Sequence, residues 1–340
     1  MAMAAVEVHV PCKVIVSGEH AVVYGAPAYA VAISRGTRVR ASVAAGGDRQ
    51  HHCLRLQRLS RTVRLRLDLS RCDAHDSDEP TPESVAVRVF AFLVKEVGIA
   101  SGVSVDVDSE VPLGGGLGSS ASFCAALACA LLHIAHPGTI VDDAHRIAVQ
   151  SLALAAERIV HGTPSGVDTF VVVYGGAVLY RKTEKPTRMS PIPLRFVIVD
   201  TKVPRSTKAM VERVAEFRNA HDAVVNPIID AISALTTTIV DSGKMGGQLV
   251  AANHHLLCAL GVGHSAIDQV VQIGARLGVP CKLTGAGGGG CVIAVLPDDD
   301  DGSAFIGECD RAGFDAFPAV PSEAGLTAHY LPDTQPLQRY

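Results

Sequence analysis

The sequence predicts an α+β protein in two parts. Its 340 residues exceed the roughly 100–200 residues of one typical domain. Hydrophobic residues make up 48% and charged residues 19%, which excludes a disordered chain or a coiled coil. Segments with an apolar period of two alternate with segments of helical spacing, so strands and helices are mixed. The region 181–193 combines prolines, threonines and mixed charge, which is typical of a linker, and it divides the chain into domains 1–185 and 186–340.

The first domain is predicted to begin with strands and to continue with helices. The pattern predicts a strand at 6–16 that is broken at Pro11. At 39–70, apolar residues alternate with arginines, as in antiparallel strands with one solvent-exposed face. A basic patch for nucleic acid is the alternative, which the acids at 73, 76, 78 and 79 disfavour. Helices are predicted at 83–96, 121–134 and 142–160, a strand at 103–107, and an apolar segment with a Gly-Gly kink at 171–180.

The second domain is predicted to contain several helices between short buried strands. The expected order is a strand at 194–200, helices at 207–218, 222–240, 247–261 and 265–278, strands at 281–284 and 291–296, and a last helix and strand. A glycine tract lies between the strands at 281–284 and 291–296.

Composition excludes several classes of partner. The net charge of −4, the aromatic content of 4% and the absence of tryptophan argue against nucleic acid. The longest apolar run, 121–135, is shorter than the ~20 residues of a membrane helix, and no secretory signal is visible, so no membrane partner is expected. Nine cysteines without a C-x-x-C pair predict reduced thiols rather than a disulfide framework or a zinc site.

A glycine-rich loop before the helix at 121–134 is the strongest candidate for chemistry. Glycines allow close approach of a ligand to the backbone, and a helix start offers unpaired N–H groups, so the loop predicts a phosphate cradle. A dinucleotide-binding turn is disfavoured because no buried strand ends at the first glycine, and a simple turn does not need four glycines. The loop residues are Gly114, Gly115, Gly116, Leu117, Gly118, Ser119 and Ser120.

Three further blocks contain chemically informative residues. Lys13 alternates with apolar residues on a strand and is followed by Glu19 and His20 at a turn; singly, each of these three is typical of a structural residue. Glu157 lies near a helix C-terminus, where the dipole disfavours an acid, which suggests a cation partner. A turn follows that presents Asp168. The last block, K-L-T-G-A-G-G-G-G-C at 282–291, is too glycine-rich for a stable hairpin and suits backbone that closes over a ligand.

The four blocks together, in this order, resemble the GHMP kinase superfamily of small-molecule kinases. The block K-V-I-V-S-G-E-H-A-V-V-Y-G-A-P-A is similar to the members that phosphorylate mevalonate, and so is H-G-T-P-S-G-V-D, although Thr163 stands where those members commonly have asparagine. The resemblance implies a two-domain fold. The N-terminal domain would be like ribosomal protein S5 domain 2 and bind ATP, and the C-terminal domain would be ferredoxin-like.

The resemblance also implies a role for each candidate residue. The loop 114–120 would bind the phosphates of ATP, with Ser109 near the nucleotide. Ser120 and Glu157 would hold Mg²⁺, Asp168 would be the catalytic base, and Lys13 would lie beside it. Glu19, His20, Thr284, Lys13 and Asp168 would face the substrate, (R)-mevalonate, which would be phosphorylated at its C5 hydroxyl. His20 is the candidate for binding the substrate carboxylate.

Two alternatives remain open for the function. One is another enzyme of the superfamily, such as a kinase for phosphomevalonate. The other is a ligand sensor without turnover, which Lys13, Ser120, Glu157 and Asp168 together disfavour. The cytoplasm is the expected location. A peroxisome-type organelle is the alternative, because Lys13-Val14-x₅-His20-Ala21 also fits a loose targeting pattern. A homodimer is left open.

Overall fold

The chain folds around two β-sheets that carry helices. The computed structural model describes residues 5–44, 51–66, 81–162, 164–182 and 184–331. The first half contains β1 (Val6–Ser17), β2 (Ala28–Val43), β3 (His51–Leu56), β4 (Arg61–Arg66), α1 (Pro82–Val97), β5 (Val103–Ser109), α2 (Ser119–Ala135), α3 (Asp143–His161), α4 (Val167–Tyr174), β6 (Ala177–Tyr180) and β7 (Thr187–Met189). The second half contains β8 (Phe196–Asp200), α5 (Thr207–Ala220), α6 (Asp222–Ser242), α7 (Gly247–Ala259), α8 (Ser265–Leu277), β9 (Cys281–Leu283), β10 (Cys291–Val295), α9 (Ser303–Arg311), β11 (Asp315–Ala319) and β12 (Thr327–Tyr330).

The first sheet has the strand order β12-β1-β2-β5-β3-β4, and β6 joins β2 to β7. All of its pairings are antiparallel except that of β3 with β5. β1 buries its alternate side chains because its apolar residues have the period of two of a strand. The helices α1, α2, α3 and α4 share a core with this sheet, and α2 is buried on nearly every side because its residues are small and apolar.

β1 continues through Pro11, where the sequence predicts a break. The pairing of β1 with β2 shifts register between Pro11 and Cys12, and Gly36 lies opposite Pro11. Proline has no N–H to donate to a neighbouring strand. The register shift accommodates the missing hydrogen bond, so β1 continues past Pro11. The continuous strand places Lys13 and Ser17 on one element.

The second sheet has the order β11-β8-β10-β9, and every pairing in it is antiparallel. This is a ferredoxin-like arrangement: four helices intervene between β8 and β9, and one helix intervenes between β10 and β11. Among the described helices, α6 alone has the length and apolar composition of a membrane span. Its buried face contributes to the core of this half, with Val225, Ile229 and Ile232 among the packed residues.

The structure differs from the predicted linker and adds detail to two other predicted features. The segment 171–180 is the end of α4 followed by β6, because Gly175 and Gly176 (φ 68° and 73°) end the helix. The expected linker at 181–193 contains β7, which pairs with β6. β12 lies beyond residue 185 and returns to pair with β1, so the first sheet includes a strand from each of the two predicted domains. Residues 67–70 of the predicted strands, the acids that follow them, and Cys72 lie outside the described residues; the eight described cysteines are unpaired thiols.

The close packing at Gly36 predicts a large loss of stability when a methyl group is added there. A β-carbon at position 36 would lie 2.1 Å from the carbonyl oxygen of Val10, so β1 or β2 would have to move. We expect Gly36→Ala to lower the free energy of unfolding by about 1–3 kcal/mol, as overpacking does. Urea unfolding measures this change. The control is Gly307→Ala within α9, where only the tip of Arg311 lies within 4 Å and alanine should stabilise the helix by about 0.5–1 kcal/mol. Equal stability of the two variants would contradict the close contact.

Candidate active site

A cavity of about 1050 Å³ brings most of the predicted site residues together. Its wall is contributed by both halves of the chain, since Arg205, Gly285 and Ala286 of the second half face residues of the first. The cavity lies at the upper end of the usual range of small-molecule sites, roughly 300–1,000 Å³. The predicted residues that line it are Lys13, Glu19, His20, Ser109, Gly114, Gly116, Gly118, Ser119, Ser120 and Asp168.

The glycine-rich loop has the geometry of a phosphate cradle. Gly114, Gly116 and Gly118 have φ values of 74°, 83° and 70°, which glycine adopts without strain. Gly118 is the N-cap of α2 and provides no side-chain cap, so the first N–H groups of the helix are available to a ligand. Leu117 takes part through its backbone: its side chain is buried in the core, and its carbonyl oxygen accepts a hydrogen bond of 2.8 Å from the N–H of Lys13. Gly115 is buried against Cys291 and does not line the cavity.

Two cationic side chains fill the space that β-carbons would take in this loop. A β-carbon at Gly118 would lie 2.9 Å from Cγ of Lys13, and one at Gly116 would lie 1.8 Å from Nη2 of Arg205. Because both glycines also have positive φ, a side chain at either position would be strained and would displace the cation beside it. Arg205 comes from the segment between β8 and α5, and its Nη1 is buried without a hydrogen-bond partner among the described residues. Burial lowers the pKa of Arg205, but a guanidinium remains charged at neutral pH.

Lys13 and Asp168 form an ion pair at the cavity wall. Nζ of Lys13 is 3.2 Å from Oδ1 of Asp168. The Lys13 side chain is 4% exposed and that of Asp168 is 41% exposed, so the ammonium is held by the protein while the carboxylate faces the cavity. Asp168 lies in the first turn of α4, where the helix dipole favours a negative charge. The Lys13 side chain does not extend to solvent, as that of an edge-strand lysine would.

Ser120 and Glu157 meet where the start of α2 reaches the end of α3. Oγ of Ser120 is 3.0 Å from Nε2 of His161, and that nitrogen is 4.0 Å from Oε1 of Glu157. Glu157 is buried behind the cavity wall, and its Oε1 has no hydrogen-bond partner among the described residues. Burial raises the pKa of Glu157 to about 7, and the Ser120 hydroxyl opposes that rise. A buried carboxylate oxygen without a partner beside a hydroxyl fits the oxygen ligands that Mg²⁺ requires.

Glu19 forms a buried ion pair with Lys282 of β9. The Lys282 ammonium donates to Oε1 of Glu19 and to the carbonyl oxygen of Leu283, and both side chains are almost fully buried. Burial raises the pKa of Glu19, and the facing ammonium opposes that rise. Oε2 of Glu19 has no partner among the described residues, although Glu19 lines the cavity. The pair connects the two sheets and leaves one carboxylate oxygen for a ligand.

His20 and Thr284 differ from their predicted roles. The Nε2–H of His20 donates to the carbonyl oxygen of Ala286 at 2.8 Å, and burial lowers the pKa of His20, so the ring is neutral at pH 7. A neutral imidazole that already donates its proton is a poor partner for a carboxylate. Thr284 is fully buried outside the cavity lining, and its hydroxyl donates to the carbonyl oxygen of Ile15. Thr284 therefore connects the two halves beside the cavity. Thr163 lies outside the described residues.

No role was predicted from the sequence for Arg205, His161 or Lys282. His161 and Lys282 lie inside the quoted blocks, but their contacts depend on pairings that no spacing reveals. Arg205 follows a predicted buried strand and precedes a helix, a position at which chains commonly contribute to sites. This position in the sequence could have identified Arg205 as a candidate site residue.

Comparison with known proteins identifies the family. Residues 84–176 match the GHMP kinases N terminal domain, and residues 234–315 match the GHMP kinases C terminal family. The chain is 33% identical to a mevalonate kinase of Homo sapiens, covering 95% of this chain and 94% of that protein. It is 30% identical to one of Arabidopsis thaliana, covering 96% and 100%. The fold is similar to L. major mevalonate kinase in complex with R-mevalonate, with a TM-score of 0.75, 23% identity, and coverage of 93% and 96%.

The two-part α+β fold expected from the sequence is confirmed by these matches. The phosphate cradle, the ion pair at the cavity wall and the cavity shared by both halves are what a small-molecule kinase requires. The chain belongs to the GHMP kinases and, within them, to the mevalonate kinases, the enzymes that use ATP to phosphorylate mevalonate.

Proposed function

We propose that the enzyme phosphorylates (R)-mevalonate at its C5 hydroxyl, with Asp168 as the base and Lys13 as the stabilising cation. The observation that carries this proposal is the contact of 3.2 Å between Lys13 and Asp168 at the wall of the cavity that the phosphate loop also lines. A primary alcohol is a poor nucleophile at neutral pH, so a carboxylate positioned to accept its proton is the main requirement of the reaction.

The phosphoryl transfer follows from the positions of these groups. The C5 oxygen bonds to the γ-phosphorus of ATP, its proton passes to Asp168, and the bond from the γ-phosphorus to the β–γ bridging oxygen breaks to release ADP. Lys13 holds the Asp168 carboxylate in place through their ion pair and stabilises the negative charge that develops on the C5 oxygen. The N–H groups at the start of α2 bind the phosphates and orient the γ-phosphoryl group toward the alcohol.

Ser120 and Glu157 are the proposed ligands for Mg²⁺. Bound there, the cation would neutralise charge on the β- and γ-phosphates. Its placement at this position is supported by the Glu157 oxygen without a partner and by the proximity of the Ser120 hydroxyl to the phosphate loop. His161 holds the Ser120 hydroxyl through a hydrogen bond and is therefore a positioning residue for this ligand.

Arg205 replaces His20 as the proposed partner of the mevalonate carboxylate. Its guanidinium lines the cavity, has a buried Nη1 without a partner, and matches a carboxylate in geometry and charge. The remaining Glu19 oxygen can accept a hydrogen bond from the C3 hydroxyl of the same substrate. Two groups at one end and Asp168 at the other would orient mevalonate for attack by its C5 oxygen.

A substrate panel with product analysis tests the proposed reaction. ADP release would be measured with mevalonate, phosphomevalonate, galactose and homoserine, and phosphorus NMR would identify the phosphorylated carbon. We expect a clear preference in kcat/KM for mevalonate and a phosphate ester on C5. A comparable kcat/KM with one of the other three substrates, or an ester on C3, would contradict the proposal.

We expect Asp168→Asn to reduce kcat by about 10²–10⁴, the usual contribution of a positioned acid–base group. Asparagine keeps the shape of the side chain but cannot accept a proton at pH 7. The KM values for mevalonate and ATP should change much less, because the lost interaction belongs to the transition state. Steady-state kinetics per folded active site measure this, with the exposed Asp230→Asn on α6 as the control. A folded variant that retains more than a tenth of the wild-type kcat would remove Asp168 from the mechanism.

The shared-metal role predicts non-additive effects of Ser120→Ala and Glu157→Gln. Each single variant should need more Mg²⁺ for half-maximal activity, because each removes one proposed ligand. The double variant should lose less than the sum of the two free-energy costs, since both residues act through one ion. Titrations of activity with Mg²⁺ provide these values, and the exposed Ser151→Ala on α3 should titrate like the wild type. A fully additive double variant would argue against a shared ion.

The role of Arg205 predicts a selective effect of Arg205→Met on mevalonate. Loss of a charge-assisted hydrogen bond costs roughly 1.5–3 kcal/mol, so KM for mevalonate should rise by about 10- to 100-fold. With an analogue that carries a carboxamide in place of the carboxylate, the KM values of the variant and the wild type should differ far less. The control is Arg213→Met, at an exposed position of α5. If KM for ATP rises instead, Arg205 binds the nucleotide phosphates.

A further inference from the structure

The helices α2 and α3 pack as an antiparallel pair with a polar cluster at each end. At one end, Ser120 of α2 meets His161 of α3 beside the cavity. At the other end, His133 of α2 meets His145 of α3, with their ring centroids 4.8 Å apart. With a rise of 1.5 Å per residue, the two ends are separated by about 20 Å along α2. The second cluster is therefore outside the active site, on the same helices that carry the proposed magnesium ligands.

Cys129, His133 and His145 form this second cluster. Cys129 and His133 share one face of α2 because they are four residues apart, and His145 lies in the first turn of α3. Each of the three residues offers one ligand atom, and these atoms all lie within 4.8 Å of one another. All three are buried, with exposures of 0%, 2% and 8%. The cluster therefore has little contact with solvent.

The histidines of the cluster have unused nitrogen atoms. Both ring nitrogens of His145 are buried and have no hydrogen-bond partner among the described residues. Leaving a buried polar atom without a partner costs about 1–3 kcal/mol, so such an atom needs an explanation. The Nδ1–H of His133 donates to the carbonyl oxygen of Cys129 at 2.9 Å. This bond leaves Nε2 of His133 with its lone pair and fixes the ring, as the outer contacts of metal-binding histidines do.

We propose that Cys129, His133 and His145 bind one Zn²⁺ ion. Thiolate sulfur and neutral imidazole nitrogen are the ligands that zinc prefers, whereas Mg²⁺ and Ca²⁺ prefer oxygen. Burial opposes ionisation of all three groups: it lowers the pKa of both histidines, and it raises the pKa of Cys129 to about 12, so the thiol would lose its proton only as the metal binds. On binding, the Cys129 thiol would lose its proton to solvent as the sulfur–zinc bond forms, and a water molecule at His145, the most exposed of the three residues, would supply a fourth ligand. Without a C-x-x-C pair the sequence predicts no zinc site, but packing brings the C-x₃-H pair of α2 next to a histidine of α3.

The ion would act as a structural connection between the two helices. α2 ends at Ala135 and α3 begins at Asp143, so a short loop is the only covalent link at this end. A metal ion bound here would hold the end of α2 against the start of α3. It would thereby maintain the spacing of Ser120 and Glu157 at the far end of the two helices. The readouts are therefore metal affinity and thermal stability, since the site does not touch substrate.

Cobalt spectroscopy and zinc competition on the full chain test this site. Chelator-treated protein would be titrated with Co²⁺. We expect a thiolate-to-cobalt charge-transfer band that saturates at one equivalent of Co²⁺ and disappears when Zn²⁺ is added. Cys129→Ser should abolish that band, and both Cys129→Ser and His145→Gln should weaken Zn²⁺ binding by about tenfold or more in competition with a chromophoric chelator. Zn²⁺ should raise the Tm of the wild type but not that of either variant. The two variants are independent, so one that fails to fold leaves the other to decide.

Two matched variants control for other thiols. Cys124→Ala changes another buried cysteine of α2, and Cys258→Ser disrupts the other group of possible ligands, His254, Cys258 and Asp268. Both should keep the band and the affinity of the wild type. No charge-transfer band in the wild type, or wild-type Zn²⁺ affinity in Cys129→Ser and His145→Gln, would overturn the proposal. Loss of the band only in Cys258→Ser would overturn it as well, by placing the ion at the other group.

Discussion

The candidate active site depends on a loop in which two glycines leave space for two cationic side chains. At Gly116 and Gly118 the missing β-carbons make room for Arg205 and Lys13, which approach from different elements. A side chain at either position would push the cation beside it away from the start of α2. The loop thus sets the distance between the N–H groups of that helix start, Lys13 with its partner Asp168, and Arg205 of the second half. This geometry accounts for two of the four glycines that occur within five residues.

β1 connects this loop to the second sheet. Lys13 lies on it, Glu19 and His20 follow it, and both of these make contacts across the cavity to Lys282 and Ala286. Thr284 adds a hydrogen bond to the carbonyl oxygen of Ile15. Removing one member of a buried ion pair leaves an uncompensated charge, so the Glu19–Lys282 pair resists separation of the two halves. His20 is held with a φ of 59°, a strained conformation that these contacts maintain.

Features that depend on local sequence patterns were predicted better than features that depend on contacts between residues distant in sequence. The glycine loop, the helices around it and the strands of the second sheet follow from periodicity and from the start of α2. Lys13 and Asp168 were also named correctly as neighbours, through the family resemblance. Arg205 and Lys282 could not be assigned, because their partners lie far away in sequence and only the packing of two sheets brings them together. The charge of His20 could not be judged from the sequence, because it depends on burial and on the Ala286 carbonyl. Cellular location and oligomeric state stay predictions.

The return of β12 to β1 has a consequence for biosynthesis. Val6 pairs with Tyr330, so the outer strand of the first sheet is added only after nearly all other described residues have been made. Until then the N-terminal part of β1 is an open edge, with unpaired N–H and C=O groups that can recruit strands from other chains. Contacts so distant in sequence also form slowly. Protection of this edge by chaperones during translation would therefore matter more for the yield of folded protein than for the stability of the finished fold.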